Sequence, residues 1–185
     1  MIVTLKFTGV EVGSIFATMG IASLFMPAVL GVIADRFYNA ERVLGFCHLI
    51  GAVLLFLAAQ IEDYPSLYII MLFNCMAYMP TIALANTVSY NALDKNNLDI
   101  VKSFPPIRVW GTIGFIAAMW VVDLLDLTKS PMQLYVSAVA SLLLGLYAFT
   151  MPQRAPLKSG DARSFSSTLG LDALVLFRSR KLAVF

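Results

Sequence analysis

Charge is scarce in this sequence. Asp, Glu, Lys and Arg make up only 13% of its 185 residues, against 59% hydrophobic residues and a mean hydropathy of +0.82. Soluble domains carry about a quarter charged residues, so a water-soluble globular fold is excluded. The net charge of +2 is too small for the electrostatic footprint of a nucleic-acid binder. Cysteine is almost absent. Cys47 and Cys75 each lie in an apolar run without CxxC or metal-ligand spacing, so they read as small buried hydrophobes rather than a disulfide framework or a zinc site. The start, "MIVTLKFTGVEVG", lacks the apolar core and cleavage pattern of a secretory signal peptide. GxSxG, HExxH and the P-loop are missing. Glu62 and Asp63 share one short loop, and Asp94 and Asp99 share another, where they read as solvated. No enzyme and no cofactor are expected.

Long apolar runs are what the chain has instead. Five stand out, at about 12–34, 43–60, 66–90, 104–125 and 131–151. Runs of about 20 residues match the length of a helix crossing about 30 Å of hydrocarbon, and helices satisfy their own backbone groups there. An outer-membrane barrel would instead alternate over about ten residues. The expected fold is therefore an all-α membrane protein, with a bundle over 1–151 and a polar tail with a basic amphipathic segment over 152–185. Basic residues set its orientation. Eleven of them fall on the side of the 35–42 loop, the 91–108 region and the tail, and two, Lys6 and Lys129, fall on the other. That places the N-terminus outside and the tail in the cytoplasm. An odd number of helices with an outside start and no signal peptide predicts a fragment cut at both ends; the alternative is a complete five-helix protein.

Polar residues within the runs carry the functional signal, because they face other helices or a wet cavity. Asn74, Tyr78 and Thr81 follow helical spacing on one stripe that continues to Ala85 and Ser89. They are either glue between helices or cavity lining. Arg108, Thr112, Phe115, Met119 and Asp123 follow the same rule in the fourth run, opposite the plain Ile113, Ala117 and Trp120. A cation, a hydroxyl and a ring on one face suit an amphiphilic solute. Periodicity alone favours reading Arg108 as an anchor that snorkels to the headgroups over reading it as a ligand contact. Gly13, Ala17 and Gly20 form a small-residue stripe that predicts close helix approach, and Pro27 and Pro80 predict bends. His48 has no acidic neighbour one turn away and reads as a packing or hydrogen-bonding histidine rather than a proton relay.

"GVIADRF", residues 31–37, resembles the loop signature between helices two and three of the major facilitator superfamily, through Gly31, Ala34, Asp35 and Arg36. The Gly would permit close packing, and the charged pair would cap and bond neighbouring helices. The second half of that signature is reduced here to Arg42. "FNCMAYMPTIALANTVSYNAL", "DIVKSFPPIRVWGTIGFIAAMWVVDL", "MQLYVSA" and "LLGLDALVLF" are very similar, in order and spacing, to bacterial nucleoside permeases of the nucleoside:proton symporter family. "FPPIRVWGTIGF" is the most specific element, with its two prolines expected at the start of a helix.

The resemblance implies helices two to six of a twelve-helix transporter, with helix one and the second half missing. It implies uptake of nucleosides with a proton as the coupling ion, in the bacterial inner membrane, by alternating access. The implied partners are nucleosides, the lipid bilayer and the missing parts of the same transporter, in a monomer. Arg108, Thr112 and Phe115 match the family's substrate-contacting Arg, Thr and Phe; Asn74, Tyr78 and Thr81 would lie near the cavity. Rival readings are a transporter of another small polar solute, a membrane enzyme acting on a lipid, and a scaffold subunit without transport.

Overall fold

The computed structural model describes residues 5–128 and 130–152, without the side chains of Asp35 and Arg36; the tail segment expected beyond them lies outside the described residues. Five helices follow in order: α1 Gly9–Arg36, α2 Ala40–Ala58, α3 Tyr64–Lys95, α4 Ile100–Leu124 and α5 Met132–Thr150. Among the described residues there is no strand. All five are long and apolar enough to cross a membrane. The 19 residues of α2 and of α5 span about 28 Å at about 1.5 Å per residue, close to the hydrocarbon thickness. The 32 residues of α3 reach about 48 Å, so its polar last turn extends beyond the hydrocarbon.

Local chemistry fixes the helix ends. Thr8 and Glu11 form a capping box that starts α1, with Thr8 N–H donating to Glu11 Oε2 at 2.8 Å and Glu11 N–H to Thr8 Oγ1 at 3.3 Å. Asp63 caps α3 by accepting the Ser66 N–H at 3.0 Å. The helix closes at Asn97, whose φ of 54° is left-handed, while the Leu98 N–H reaches back to the Leu93 carbonyl at 3.0 Å. This Schellman-type closure carries α3 to Lys95, past the apolar run that ends near 90.

Asp99 then accepts the N–H of Val101 at 2.9 Å, so α4 begins at Ile100, about one turn before the apolar run. The two prolines therefore lie in the second turn and not at the helix mouth, which corrects the sequence expectation. Lacking N–H groups, Pro105 and Pro106 leave the carbonyls of Val101 and Lys102 without their i+4 donors. Those carbonyls sit beside an exposed, charged Lys102, where water can serve them. Pro27 and Pro80 fall inside α1 and α3, and both helices continue through them.

The centre of the bundle is α3. Both α1 and α2 lie along it, whereas α1 and α2 touch each other only sparsely. Ser14 and the Tyr64 hydroxyl pin α1 to α3 at 2.8 Å, and deeper the Thr18 hydroxyl, which donates to the Ile15 carbonyl, also lies 3.5 Å from Cys75 Sγ. One core cluster joins Ala34, Val43, Leu44, Cys47, Leu84, Val88 and Ala148; another, at the opposite end, joins Phe7, Ile15, Ala58 and Leu67. Both cysteines are free and buried. In contrast, α4 meets α3 over a short stretch, where the Tyr90 and Phe104 rings lie 4.5 Å apart, and none of its residues is buried.

A close helix approach joins α2 and α5. A Cβ on Gly45 would lie 3.2 Å from the Gly145 carbonyl oxygen and 2.9 Å from the Phe149 ring; one on Gly145 would lie 3.2 Å from the Gly45 oxygen and 3.0 Å from Leu49 Cδ2. Among the described residues the small-residue stripe of α1 makes no such approach. Added Cβ atoms on Gly13, Gly20 and Gly31 would meet nothing within 4 Å, because that face of α1 turns away from α3.

These contacts predict opposite responses to alanine. Gly145→Ala forces a shift in a tight seam and should destabilise by about 1–3 kcal/mol. Gly13→Ala enters open space and should be neutral or stabilising by up to about 1 kcal/mol. Thermal unfolding in detergent measures both.

Candidate functional site

Asp99 sets the register of α4, and steps of four and three residues then put Arg108, Thr112 and Phe115 within about 60° of one another. All three are exposed, as are Met119 and the opposite-face residues Ile113 and Trp120. Arg108 lies about 12 Å along the axis from Ile100, in a helix about 37 Å long.

The direction of its side chain is informative. The Nη1 atom of Arg108 lies 3.1 Å from where a Cβ on Gly111 would stand. The guanidinium is therefore folded over the next turn, further from the nearer helix end. A snorkelling arginine extends the other way, toward the headgroups. Gly111 leaves the room for this.

Thr112 differs from other threonines of the bundle. The hydroxyls of Thr18, Thr81, Thr87 and Thr150 each donate to a carbonyl of their own helix. Thr112 makes no hydrogen bond with the described residues, so its hydroxyl can donate and accept toward a solute. Phe115, 65% exposed, supplies a ring face one turn further.

The stripe on α3 does not behave as one wall. Asn74 Oδ1 is turned toward α2, 3.6 Å from where a Cβ on Gly51 would stand, with Ser141 Oγ 3.5 Å from the same point. Thr81 is buried, and its hydroxyl donates to the Tyr78 carbonyl at 2.6 Å. Tyr78 alone of the three is exposed. Helical spacing groups residues by face, but α3 is flanked by both α1 and α2, so positions a few tens of degrees apart meet different neighbours. No hydrogen bond, ion pair or ring contact among the described residues joins Asn74, Tyr78 or Thr81 to Arg108, Thr112 or Phe115.

The histidine has a defined role. Ser141 Oγ donates to the His48 carbonyl at 2.9 Å and lies 3.2 Å from His48 Nδ1. The single hydroxyl proton is used on the carbonyl, so Nδ1 must be the donor in the second bond. The imidazole is thus held as a helix-to-helix fastener between α2 and α5.

In the loop motif, Gly31 is half-buried and Ala34 is buried in the core. With no atom within 4 Å of an added Cβ, Gly31 makes no close approach here. The side chains of Asp35 and Arg36 lie outside the described residues.

Some residues escaped the sequence altogether. Glu41, assigned there to a polar loop, is 2% exposed in the first turn of α2, and its Oε2 has no hydrogen-bond partner. The free N–H groups of that turn favour a carboxylate there. Spacing of four, three and four from Glu41 through Gly45, His48 and Ala52, all buried, is the signal that could have placed it on the α5 side. Nothing in the sequence singled out Ser141. Among the described residues no cluster of His, Cys, Asp or Glu is arranged to hold a metal ion.

Comparison with known proteins identifies the family and the fold. The family model described as "Nucleoside H+ symporter" matches residues 1–185. The chain is 47% identical over 185 residues to nucleoside permease NupG of Escherichia coli (strain K12) and 50% identical over 185 residues to a xanthosine permease of the same organism. In both comparisons 100% of this chain is covered but 44% of the relative, so the chain spans less than half the length of these curated relatives. A crystal structure of the nucleoside transporter NupG in a point-mutant form matches with a TM-score of 0.91, and a second NupG crystal structure with 0.84. Each covers 100% of this chain and 46% of that chain, at 47% identity. The five helices are thus part of a major facilitator bundle in a multi-pass membrane protein.

Ser141→Ala removes both bonds of the α2–α5 fastener. It should lower stability by about 0.6–1.7 kcal/mol, the range measured for interhelical hydrogen bonds in a membrane protein. His48→Ala should cost no more when combined with it than alone, because the two side chains act as one unit. Equilibrium unfolding of the two single variants and the double variant tests this.

Proposed function

This chain belongs to the nucleoside H+ symporter family, and from that premise we propose that it is the N-terminal portion of a transporter that takes up nucleosides with a proton across the bacterial inner membrane. The relatives named as nucleoside and xanthosine permeases support the substrate class. The excess of basic residues around the 35–42 loop, the 91–108 region and the tail supports a cytoplasmic placement of those segments.

In this reading Arg108, Thr112 and Phe115 contact the nucleoside. The guanidinium and the hydroxyl address the ribose and the polar edge of the base, and the Phe115 ring stacks on its flat face. Tyr78 lies near the same cavity, while Asn74 and Thr81 hold helices together. The observation that carries the reading is the direction of Arg108, folded over Gly111 and away from the headgroups. A cation held in that position needs water or a polar solute beside it, since burial in hydrocarbon costs about 2.5–3.5 kcal/mol on insertion scales.

The bare faces of α4 fit this role. Here only a short stretch of α4 packs on α3 and none of its residues is buried, and in the full transporter the segments outside these 185 residues would cover one face and leave the other to line the cavity. Transport follows by alternating access, with two bundles rocking about a site between them. Nucleoside and proton shift the balance of the two states through their unequal affinity for each. Gly31, Ala34, Asp35 and Arg36 form the conformational motif at the end of α1 nearest that movement.

The test is proton-driven uptake of radiolabelled uridine or adenosine by the full-length transporter. Arg108→Ala and Thr112→Ala should each reduce uptake by about tenfold or more, as expected for a lost hydrogen bond to a charged or buried polar group. Gly111→Val should reduce it as well, by pushing the guanidinium off its path. Wild-type uptake by both the Arg108 and the Thr112 variants would refute the site. No nucleoside uptake by the unaltered protein would refute the function.

A further inference from the structure

A crevice opens where α1 and α2 diverge. Both helices pack on α3 but scarcely on each other, and the gap left between them has a volume of about 540 Å³. That lies within the about 300–1,000 Å³ range of small-molecule sites. Its walls include Leu30 of α1, Phe46, Cys47 and Ile50 of α2, and Phe73 and Met76 of α3. These offer water almost no hydrogen-bond partner, and a water needs two or more.

The depth and opening of the crevice define what can enter. All three walls belong to helices long and apolar enough to span the bilayer. Phe46, Ile50 and Phe73 are each more than half exposed, so the crevice opens sideways from the bundle. At that depth the surrounding medium is lipid tails.

The mouth of the crevice carries a charge. Arg42 precedes Phe46 by four residues and Ile50 by eight, and so stands on the same face of α2, one turn toward the helix start. It is exposed and makes no ion pair with the described residues. Tyr38, also exposed, lines the crevice at the same end. A cation and a phenol at the mouth of an apolar slot, at the edge of a membrane span, match one chemistry: a phosphate joined to an acyl chain.

We propose that this crevice is a binding site for an anionic phospholipid, with one acyl chain between α1, α2 and α3 and its headgroup phosphate on Arg42 and Tyr38. The site is separate from α4 and does not depend on which solute is transported. A bound chain fills the gap that the sparse α1–α2 contact leaves and so ties α1 to the rest of the bundle.

Native mass spectrometry of the full-length protein in mild detergent, titrated with phosphatidylglycerol or phosphatidylcholine, tests the proposal. Wild type should retain phosphatidylglycerol about fivefold more tightly than phosphatidylcholine, the preference expected from one basic residue at a lipid surface. Arg42→Gln should remove that preference and keep the weaker binding common to both lipids. Ile50→Trp, which narrows the slot from an exposed position, should weaken both. Equal retention of the two lipids by wild type, an unchanged preference in Arg42→Gln, or unchanged binding in Ile50→Trp would each overturn it. None of these readouts involves transport, so they stand apart from the uptake assay.

Discussion

At membrane depth an apolar side chain gains little by leaving lipid for protein, so helices are held by close packing and by hydrogen bonds. The seam between α2 and α5 combines the two. Gly45 and Gly145 face each other with no Cβ on either side, which lets the backbones come together and brings Phe149 and Leu49 over the gap. One turn along, that same closeness brings Ser141 within reach of both the carbonyl and the ring of His48. The hydrogen bonds therefore depend on the glycines: a wider seam would leave a buried histidine and a buried carbonyl partly unsatisfied, a greater cost than a lost contact. Aromatic edges complete the seam at both ends, with Phe46 against Phe149 and Phe56 against Tyr135, ring centres 5.3 Å apart in each pair.

Beside this rigid seam, α4 is attached by little. The Schellman-type closure at Asn97, the Asp99 cap and the Tyr90–Phe104 pair fix its start, and the rest of its length meets almost nothing in this chain. Where α2 turns Gly45, Cys47, His48 and Gly51 toward its neighbours, α4 leaves even its small residues Gly111 and Gly114 exposed among the described residues. The helix that bears Arg108, Thr112 and Phe115 is the one least committed to the packing of the five.

Sequence periodicity carried some of this and missed the rest for definable reasons. The five apolar runs are visible because lipid requires about 20 apolar residues per crossing, and that requirement acts on each helix alone. Helix pairing is a relation between two segments, so the glycines of α1, spaced for close approach, meet no neighbour among the described residues, while Gly45 and Gly145, 100 positions apart, make a close contact. Glu41 was hidden for the same reason: it belongs to the polar stretch "DRFYNAER", yet it is buried in the first turn of α2, on the face that carries Gly45 and His48. The prolines of α4 were legible as helix-start residues, but a side-chain cap further upstream, Asp99, moved the start and left them in the second turn. The face holding Arg108, Thr112 and Phe115 needed only the helical repeat, which is why it could be read without any structure.

The prolines and the arginine are best understood together. Removing two N–H groups from the second turn of α4 frees the carbonyls of Val101 and Lys102, and such groups need another donor, from water, a side chain or a neighbouring helix. Lys102 is exposed beside these carbonyls, and Pro106 closes the stretch that lacks the bonds. Arg108 comes two positions later, close enough that its long side chain could have turned back and rested among headgroups at almost no cost. It turns toward Gly111 instead. In the proposed site that direction turns the charge toward the solute, along the line that continues through the unengaged hydroxyl of Thr112. The two lost backbone bonds in the second turn and the permanent charge just after them both call for polar partners, which the proposed wet face of α4 would supply.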